Sequence, residues 1–157
     1  MANHPLAGNF FVNRHGDWFH NDEKITHERT WKLFSQLLRR EDDGTHVVHS
    51  DGVRLEIEVE DAPLIVTALR VEPEGMRLRL HDDTYVMLDP NSLVFKGNVP
   101  YCDARNGVRA RFSTSAYHEL AECIEEDGEG GFELVYNDAR FKLPPQEGIE
   151  TAADNVN

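Results

Sequence analysis

Two local concentrations of arginine stand out in an acidic chain. Arg39 and Arg40 run into Glu41-Asp42-Asp43, and Arg105, Arg109 and Arg111 follow Tyr101. Guanidinium groups bind phosphate or carboxylate through paired hydrogen bonds, and a neighbouring Tyr ring suits stacking on a base. The first stretch is therefore a candidate for binding phosphate, and the second for binding an anion or nucleotide. Each also has a plainer reading, which the residues alone favour. Arg39 and Arg40 would close the last turn of a helix, where the helix dipole favours cations. Arg109 and Arg111 would share one face of a strand and pair with acids across it.

Glu60 and Asp61 are a third candidate. Adjacent carboxylates suggest metal binding or acid–base work. Consecutive strand residues face opposite ways, however, so the two do not converge on one atom. Asp61 reads better as an acceptor for the turn that Pro63 imposes. His118 and Glu122 are four apart on a helical pattern but lack the second His of a zinc-protease helix. His46 and His49 face opposite ways on a strand. No Gly-x-Ser-x-Gly elbow, P-loop or dinucleotide Gly fingerprint occurs. Cys102 and Cys123 are not spaced for zinc and read as reduced thiols. No catalytic residue, metal site or cofactor is assigned.

A net charge of −13 over 157 residues argues against a nucleic-acid polymer as partner, because that affinity rests on neutralised phosphates. It argues equally against an anionic membrane surface. No apolar run reaches the length of a membrane span. Met1 to Gly8 lacks the basic and apolar regions of a secretory signal, which points to the cytoplasm.

These residues must be positioned by a mixed α and β chain. Phe10–Asn13 and Asp17–His20 flank Arg14-His15-Gly16 as a hairpin. Thr26 is placed to cap a helix to about Arg40, with Trp31, Phe34, Leu37 and Leu38 at helical spacing. Strands follow at Thr45–His49 and at Val53–Val59, where Val53, Leu55, Ile57 and Val59 alternate with charged residues. Further strands are expected at Leu64–Val71, Met76–Leu80, Thr84–Leu88 and Leu93–Phe95. Pro100–Ala104 and Val108–Phe112 flank Arg105-Asn106-Gly107. A Ser113–Ser115 cap starts a second helix with Tyr117, Leu120, Ala121 and Ile124 as its stripe. Phe132–Tyr136 and Ala139–Leu143 end the pattern.

The order strand, strand, helix, strand, strand thus occurs twice. Arg14-His15-Gly16 is set against Arg105-Asn106-Gly107, Trp31–Leu38 against Tyr117–Ile124, and Ser50-Asp51 against Asn137-Asp138. The expected fold is α+β with two similar β-rich lobes, each with one helix on a small, mostly antiparallel sheet. The lobes would span residues 1–72 and 73–145, with 146–157 as a flexible tail.

Gly16-Asp17-Trp18-Phe19-His20, Leu37-Leu38-Arg39-Arg40-Glu41-Asp42-Asp43-Gly44 and Val59-Glu60-Asp61-Ala62-Pro63, followed by Pro100-Tyr101, Arg105 and Gly107 with Ala110-Arg111, resemble the bacterial proteins of domain of unknown function 1285. The resemblance runs from about Phe10 to Leu143. It implies two related lobes, a nucleotide-like ligand in the cleft between them and a role in signalling. Ser50-Asp51-Gly52-Val53 and Leu80–Phe95 depart from the family pattern.

The expectation is a non-enzymatic regulatory or signalling module binding a small anionic ligand between its lobes. Arg39, Arg40, Glu60, Asp61, Tyr101, Arg105, Arg109 and Arg111 are the candidate ligand residues. The alternatives are a protein–protein interaction module, or a hydrolase using Glu60 and Asp61.

Overall fold

The computed structural model describes residues 8–145. The expected tail at 146–157 lies outside them.

The first six strands are β1 (Phe10–Val12), β2 (Trp18–His20), β3 (Glu23–Lys24), β4 (Arg39–Arg40), β5 (His46–Ser50) and β6 (Val53–Val59). They form one sheet in the order β3-β2-β1-β6-β5-β4. The next six are β7 (Leu64–Glu72), β8 (Gly75–Leu80), β9 (Tyr85–Met87), β10 (Val94–Lys96), β11 (Val99–Arg105) and β12 (Val108–Phe112). They form a second sheet in the order β10-β11-β12-β7-β8-β9. The two orders are the same pattern read in opposite directions. In each, two three-stranded meanders are joined by one parallel pair between the first and last strands.

The seams match residue by residue. Phe10, Phe11 and Val12 lie beside Ile57, Glu58 and Val59. Leu64, Ile65 and Val66 lie beside Ala110, Arg111 and Phe112. In both, alternate residues bury inward: Phe10, Val12 and Ile57 in one seam; Leu64, Val66, Ala110 and Phe112 in the other.

The repeat is therefore real, but its register is not the expected one. It runs over strands 10–59 and 64–112, so Asp51-Gly52 corresponds to Asn106-Gly107. Both turns are two-residue hairpin turns with positive φ at both positions, 52° and 73° in the first and 52° and 76° in the second, which Asp-Gly and Asn-Gly accept most readily. The joint falls at Asp61-Ala62-Pro63. Strand β7, expected within a first lobe ending at residue 72, is central in the second sheet.

The helices also differ from expectation. Helix α1 spans Glu28–Leu37 and has His27, not Thr26, at its N-cap. It stops before Arg39 because Arg39 and Arg40 turn away to pair with Val47 and His46, and the Arg40 N–H donates to Asn106 O at 2.9 Å. In the second repeat a single 3-10 turn at Pro90–Ser92 stands in the corresponding place. Helix α2 (Thr114–Ala121) follows the second repeat, with Ser113 Oγ accepting from Ala116 N–H. It ends before Ile124, which starts a three-stranded sheet of β13 (Ile124–Glu126), β14 (Phe132–Tyr136) and β15 (Ala139–Lys142).

Buried apolar residues from both repeats, α2 and β14 form one continuous core. At the levels of burial seen in it, this core is the main source of stability. Among the described residues no helix is long and apolar enough to cross a membrane.

Candidate functional site

The two repeats meet along a polar joint whose residues come from distant parts of the chain. At its centre Asp82 is fully buried. Its carboxylate accepts from Arg105 Nη2 at 2.6 Å and Ser35 Oγ at 2.8 Å. It also accepts from Thr84 Oγ1 at 2.5 Å and Thr84 N–H at 3.2 Å. Burial pushes the Asp82 carboxyl up, but the hydrogen bonds from Thr84, Ser35 and Arg105 outweigh it and hold the group below its ordinary value. Arg105 also donates to Ser35 O at 3.0 Å and Thr84 Oγ1 at 2.8 Å. Its guanidinium is thus consumed in tying α1 to the second repeat.

Beside this knot, His81 bridges the repeats. Its Nδ1 accepts from Ile65 N–H at 3.2 Å, which assigns the ring proton to Nε2, facing Gly16 O at 3.1 Å. The ring stacks on Trp31 with centroids 5.4 Å apart. Burial lowers its pKa below the ordinary histidine value, against the opposing pull of Gly16 O and Asp82. Gly16 is required here: its φ is +81° and a Cβ would meet His81 Nε2 at 2.5 Å.

The β1–β2 turn also shapes a cavity of about 330 Å³ between the repeats. Arg14 and His15 supply one wall. Ile65, Pro100, Arg111 and Phe112 of the second sheet supply the other, and Ser113, Thr114 and Tyr117 bring in the start of α2. Glu60 pins the turn, accepting from Arg14 N–H at 2.9 Å. Asn13 Oδ1 accepts from both His15 and Asp17 N–H at 2.9 Å. The Arg14 side chain has no ion-pair partner among the described residues. The first turn of α2 adds backbone N–H donors and the positive end of its dipole. Two guanidinium groups and a helix start, with an apolar floor, can hold a small organic anion.

Behind Arg111 lies a second polar group. Asp61 Oδ2 accepts from Tyr101 O–H at 2.6 Å and is 3.5 Å from Arg111 Nη1. Burial, reinforced by Asp61, pushes the Tyr101 hydroxyl up to about 12. Lys96 Nζ lies 5.3 Å from the Tyr101 ring centroid, so this ring is occupied on one face and the residue is buried.

The candidate residues thus separate. Asp61, Tyr101 and Arg111 come together, and Glu60 sits at the cavity wall through Arg14. Asp61 serves Tyr101 and Arg111; the expected bond to its own turn is replaced by these contacts from the joint to β11 and β12. Arg109 and Arg111 do share a face, opposite Asp103 and Tyr101, and Arg109 Nε lies 3.7 Å from Asp103. Arg105 is in the knot. Arg39 and Arg40 are exposed on β4, away from the cavity lining.

Sequence reasoning passed over Arg14, His15, Ser113, His81 and Asp82. Arg14-His15-Gly16 read only as a turn and Asp82-Asp83 only as a break. The one local signal at Asp82 was its spacing to Thr84, which suits an Asx turn. Cys102 is buried, and burial pushes its thiol up to about 12, so it is no thiolate at neutral pH. Among the described residues no group of three or more His, Cys, Asp and Glu is placed to hold a metal.

Residues 7–62 match the family model described as Domain of unknown function (DUF1285), N-terminal domain. The match ends at the joint between the repeats. Among solved structures, a DUF1285 family protein from Silicibacter pomeroyi DSS-3 is similar with a TM-score of 0.72 and 22% identity, over 90% of this chain and 83% of that one. A DUF1285 family protein from Shewanella baltica OS155 is similar with a TM-score of 0.65 and 20% identity, over 74% of this chain and 93% of that one. At such identities the likeness is one of fold. No curated protein matches.

Proposed function

We propose that this chain, whose residues 7–62 match the DUF1285 N-terminal domain model, is a non-enzymatic regulatory module that binds a small organic anion between its repeats. The observation that carries this reading is the cavity lined jointly by Arg14 of the first repeat, Arg111 of the second and the start of α2. The volume, about 330 Å³, suits a compact ligand with one phosphate or carboxylate and a planar or apolar body; a mononucleotide fragment is of this class. In this reading the two repeats act as lobes, one carrying α1 and the other α2. Ligand binding shifts their relative arrangement, which a partner then senses in the cytoplasm.

The hydrolase alternative finds less support. Glu60 accepts from Arg14 N–H and Asp61 from Tyr101 O–H, so the two carboxylates serve separate structural partners.

The test is a thermal-shift screen of the purified chain against nucleotides, dinucleotides, sugar phosphates and small carboxylates. A ligand at about 100 times its Kd stabilises the native state by ~2.7 kcal/mol. The stabilising compounds are expected to be anions, and Arg14→Ala and Arg111→Met are each expected to remove the shift while the unliganded protein stays folded. Hits that persist in both variants would place the ligand elsewhere and reject the cavity.

A further inference from the structure

We propose that the edge of β6 beside Val53–Glu56 is a docking site for an extended, basic peptide segment of a protein partner, which adds there as a strand. The parallel seam of the first repeat begins at Phe10 beside Ile57. On that side of β6, residues 53–56 therefore have no strand next to them among the described residues. On the other side β5 pairs with all of them, from Ser50 opposite Val53 to Val47 opposite Glu56.

The hairpin register says which groups are left. The closing pair of a two-residue hairpin, Ser50 with Val53, exchanges its hydrogen bonds, and the pairs then alternate. Arg54 and Glu56 consequently turn their backbone N–H and C=O away from β5; the seam register gives the Glu56 C=O to the Phe10 N–H, which leaves both groups of Arg54 and the Glu56 N–H on the open side. A groove of about 1080 Å³ lies at this place, running along β6 between Gly8–Phe10 and Gly44–His46. Unpaired edge groups beside an open groove are what strand addition uses.

Charge selects the kind of segment. Glu56 and Glu58 point outward from β6 and are exposed. Arg54, on the same strand, is already bound to Glu41 and Glu56, and Arg40 lies beside Gly44 and His46 on the far side of the groove. Glu58 has no ion pair among the described residues. The rim is therefore net acidic, in a chain of net charge −13, and it fits lysine or arginine at alternate positions of the incoming strand.

The second repeat shows the alternative. There β7 overhangs the seam beyond Val66, and α2 seals the overhang. Ser113 N–H donates to Val66 O at 2.9 Å, and Glu119 Oε2 accepts from Leu69 N–H at 2.9 Å. The chain thus covers one overhang with its own helix and leaves the other open.

The experiment is residue-resolved amide hydrogen exchange on the full chain, with and without a short capped peptide alternating Lys and Val. Matching peptides carry Glu in place of Lys, or N-methyl groups on alternate amides. The Lys peptide is expected to slow exchange at Arg54 and Glu56 by about tenfold or more. N-methylation and the Glu replacement should each weaken binding by about tenfold. In the charge-reversed variant Glu56→Lys/Glu58→Lys, on exposed positions, preference should pass to the Glu peptide. The proposal is overturned if the Arg54 and Glu56 amides are already protected in the free chain. It also fails if the Lys peptide does not bind at millimolar concentration, or binds without protecting those amides.

Discussion

The two repeats share a strand order and a seam, and they differ in what the seam presents to solvent. Phe11 lies beside Glu58 in the first, and Ile65 beside Arg111 in the second. The same topological position thus carries an exposed carboxylate in one repeat and a half-buried guanidinium in the other. Inward positions stay apolar in both, because a slip or a charge there would put polar groups in the core. The outward positions are free of that constraint. The second repeat puts Arg111 at the cavity wall, and the first leaves Glu56 and Glu58 exposed along β6. Fold is held by the inner face of each seam, and side-chain chemistry diverges on the outer one.

The largest effect is expected where the repeats are locked together. Asp82→Ala leaves Arg105 without its carboxylate in a largely buried place, and breaking such a pair costs about 3–5 kcal/mol. Denaturant unfolding should show this loss. The double variant Asp82→Ala/Arg105→Met should recover part of it, because the stranded charge is gone. A double variant as unstable as the sum of the single ones would mean that Asp82 and Arg105 are not energetically coupled, and that the tie from this knot to Ser35 of the first repeat does not rest on their pairing.

Next in size is a direct test of equivalence. Phe10 and Leu64 occupy matching seam positions and are 2% and 0% exposed. Phe10→Ala is expected to cost about 3–5 kcal/mol and Leu64→Ala about 2–5 kcal/mol. Chemical denaturation of both variants checks the comparison. If one is nearly neutral, the two seams do not carry equal weight in the shared core.

Much of this architecture was legible in the residues, but not its register. The alternation from Val53 to Val59 predicted β6 with the correct face buried, and the Asp-Gly and Asn-Gly pairs predicted their turns. The duplication was visible as a rhythm of elements. It was matched wrongly because α2 imitates α1 in its apolar stripe, whereas true equivalence lies in the pairing of β1 with β6 and β7 with β12. Strand pairing is a long-range property that periodicity does not report. The site suffers from the same limit. Asp61 and Tyr101 are 40 residues apart and Asp82 and Arg105 are 23 apart, so no local spacing tells an arginine at the cavity wall from one tied into the buried knot. Arg105 and Arg111 look alike in sequence and have opposite fates in the fold.

A smaller effect distinguishes the matching turns. Gly52 and Gly107 both have positive φ, but an added Cβ meets nothing within 4 Å at Gly52, while at Gly107 it comes to 3.1 Å from Arg40 O. Gly52→Ala should cost about 1–2 kcal/mol, the left-handed penalty alone. Gly107→Ala should cost more, since the backbone of β4 must give way. Equal losses in thermal unfolding would mean that the contact between β4 and the β11–β12 turn is soft.

The smallest effect expected is a dependence of stability on pH at the joint. His81 faces Gly16 O, Ile65 N–H and the Trp31 ring, with Asp82, Asp17 and Arg105 as the charges near it. Burial holds its folded pKa below the unfolded value of about 6.5. In the window below about 6.5 the unfolded chain therefore binds more protons at this residue than the folded chain. Its contribution to stability is complete above that value, declines as pH falls, and stops changing once the pH is below the folded pKa. A single group can impose a slope of at most about 1.4 kcal/mol per pH unit. Protonation also removes Nδ1 as acceptor for Ile65 N–H, which loosens β7 from the first repeat. Unfolding of wild type and His81→Gln from about pH 8 to about pH 5 should show the variant less stable at the alkaline end and less sensitive to acid. His46, lowered by burial and by Arg40, titrates in both proteins and cancels in the difference. Parallel curves for the two proteins would mean that His81 does not carry the acid sensitivity of the joint, and that the bonds of Ser35 to Asp82 and Arg105 hold the repeats together without it.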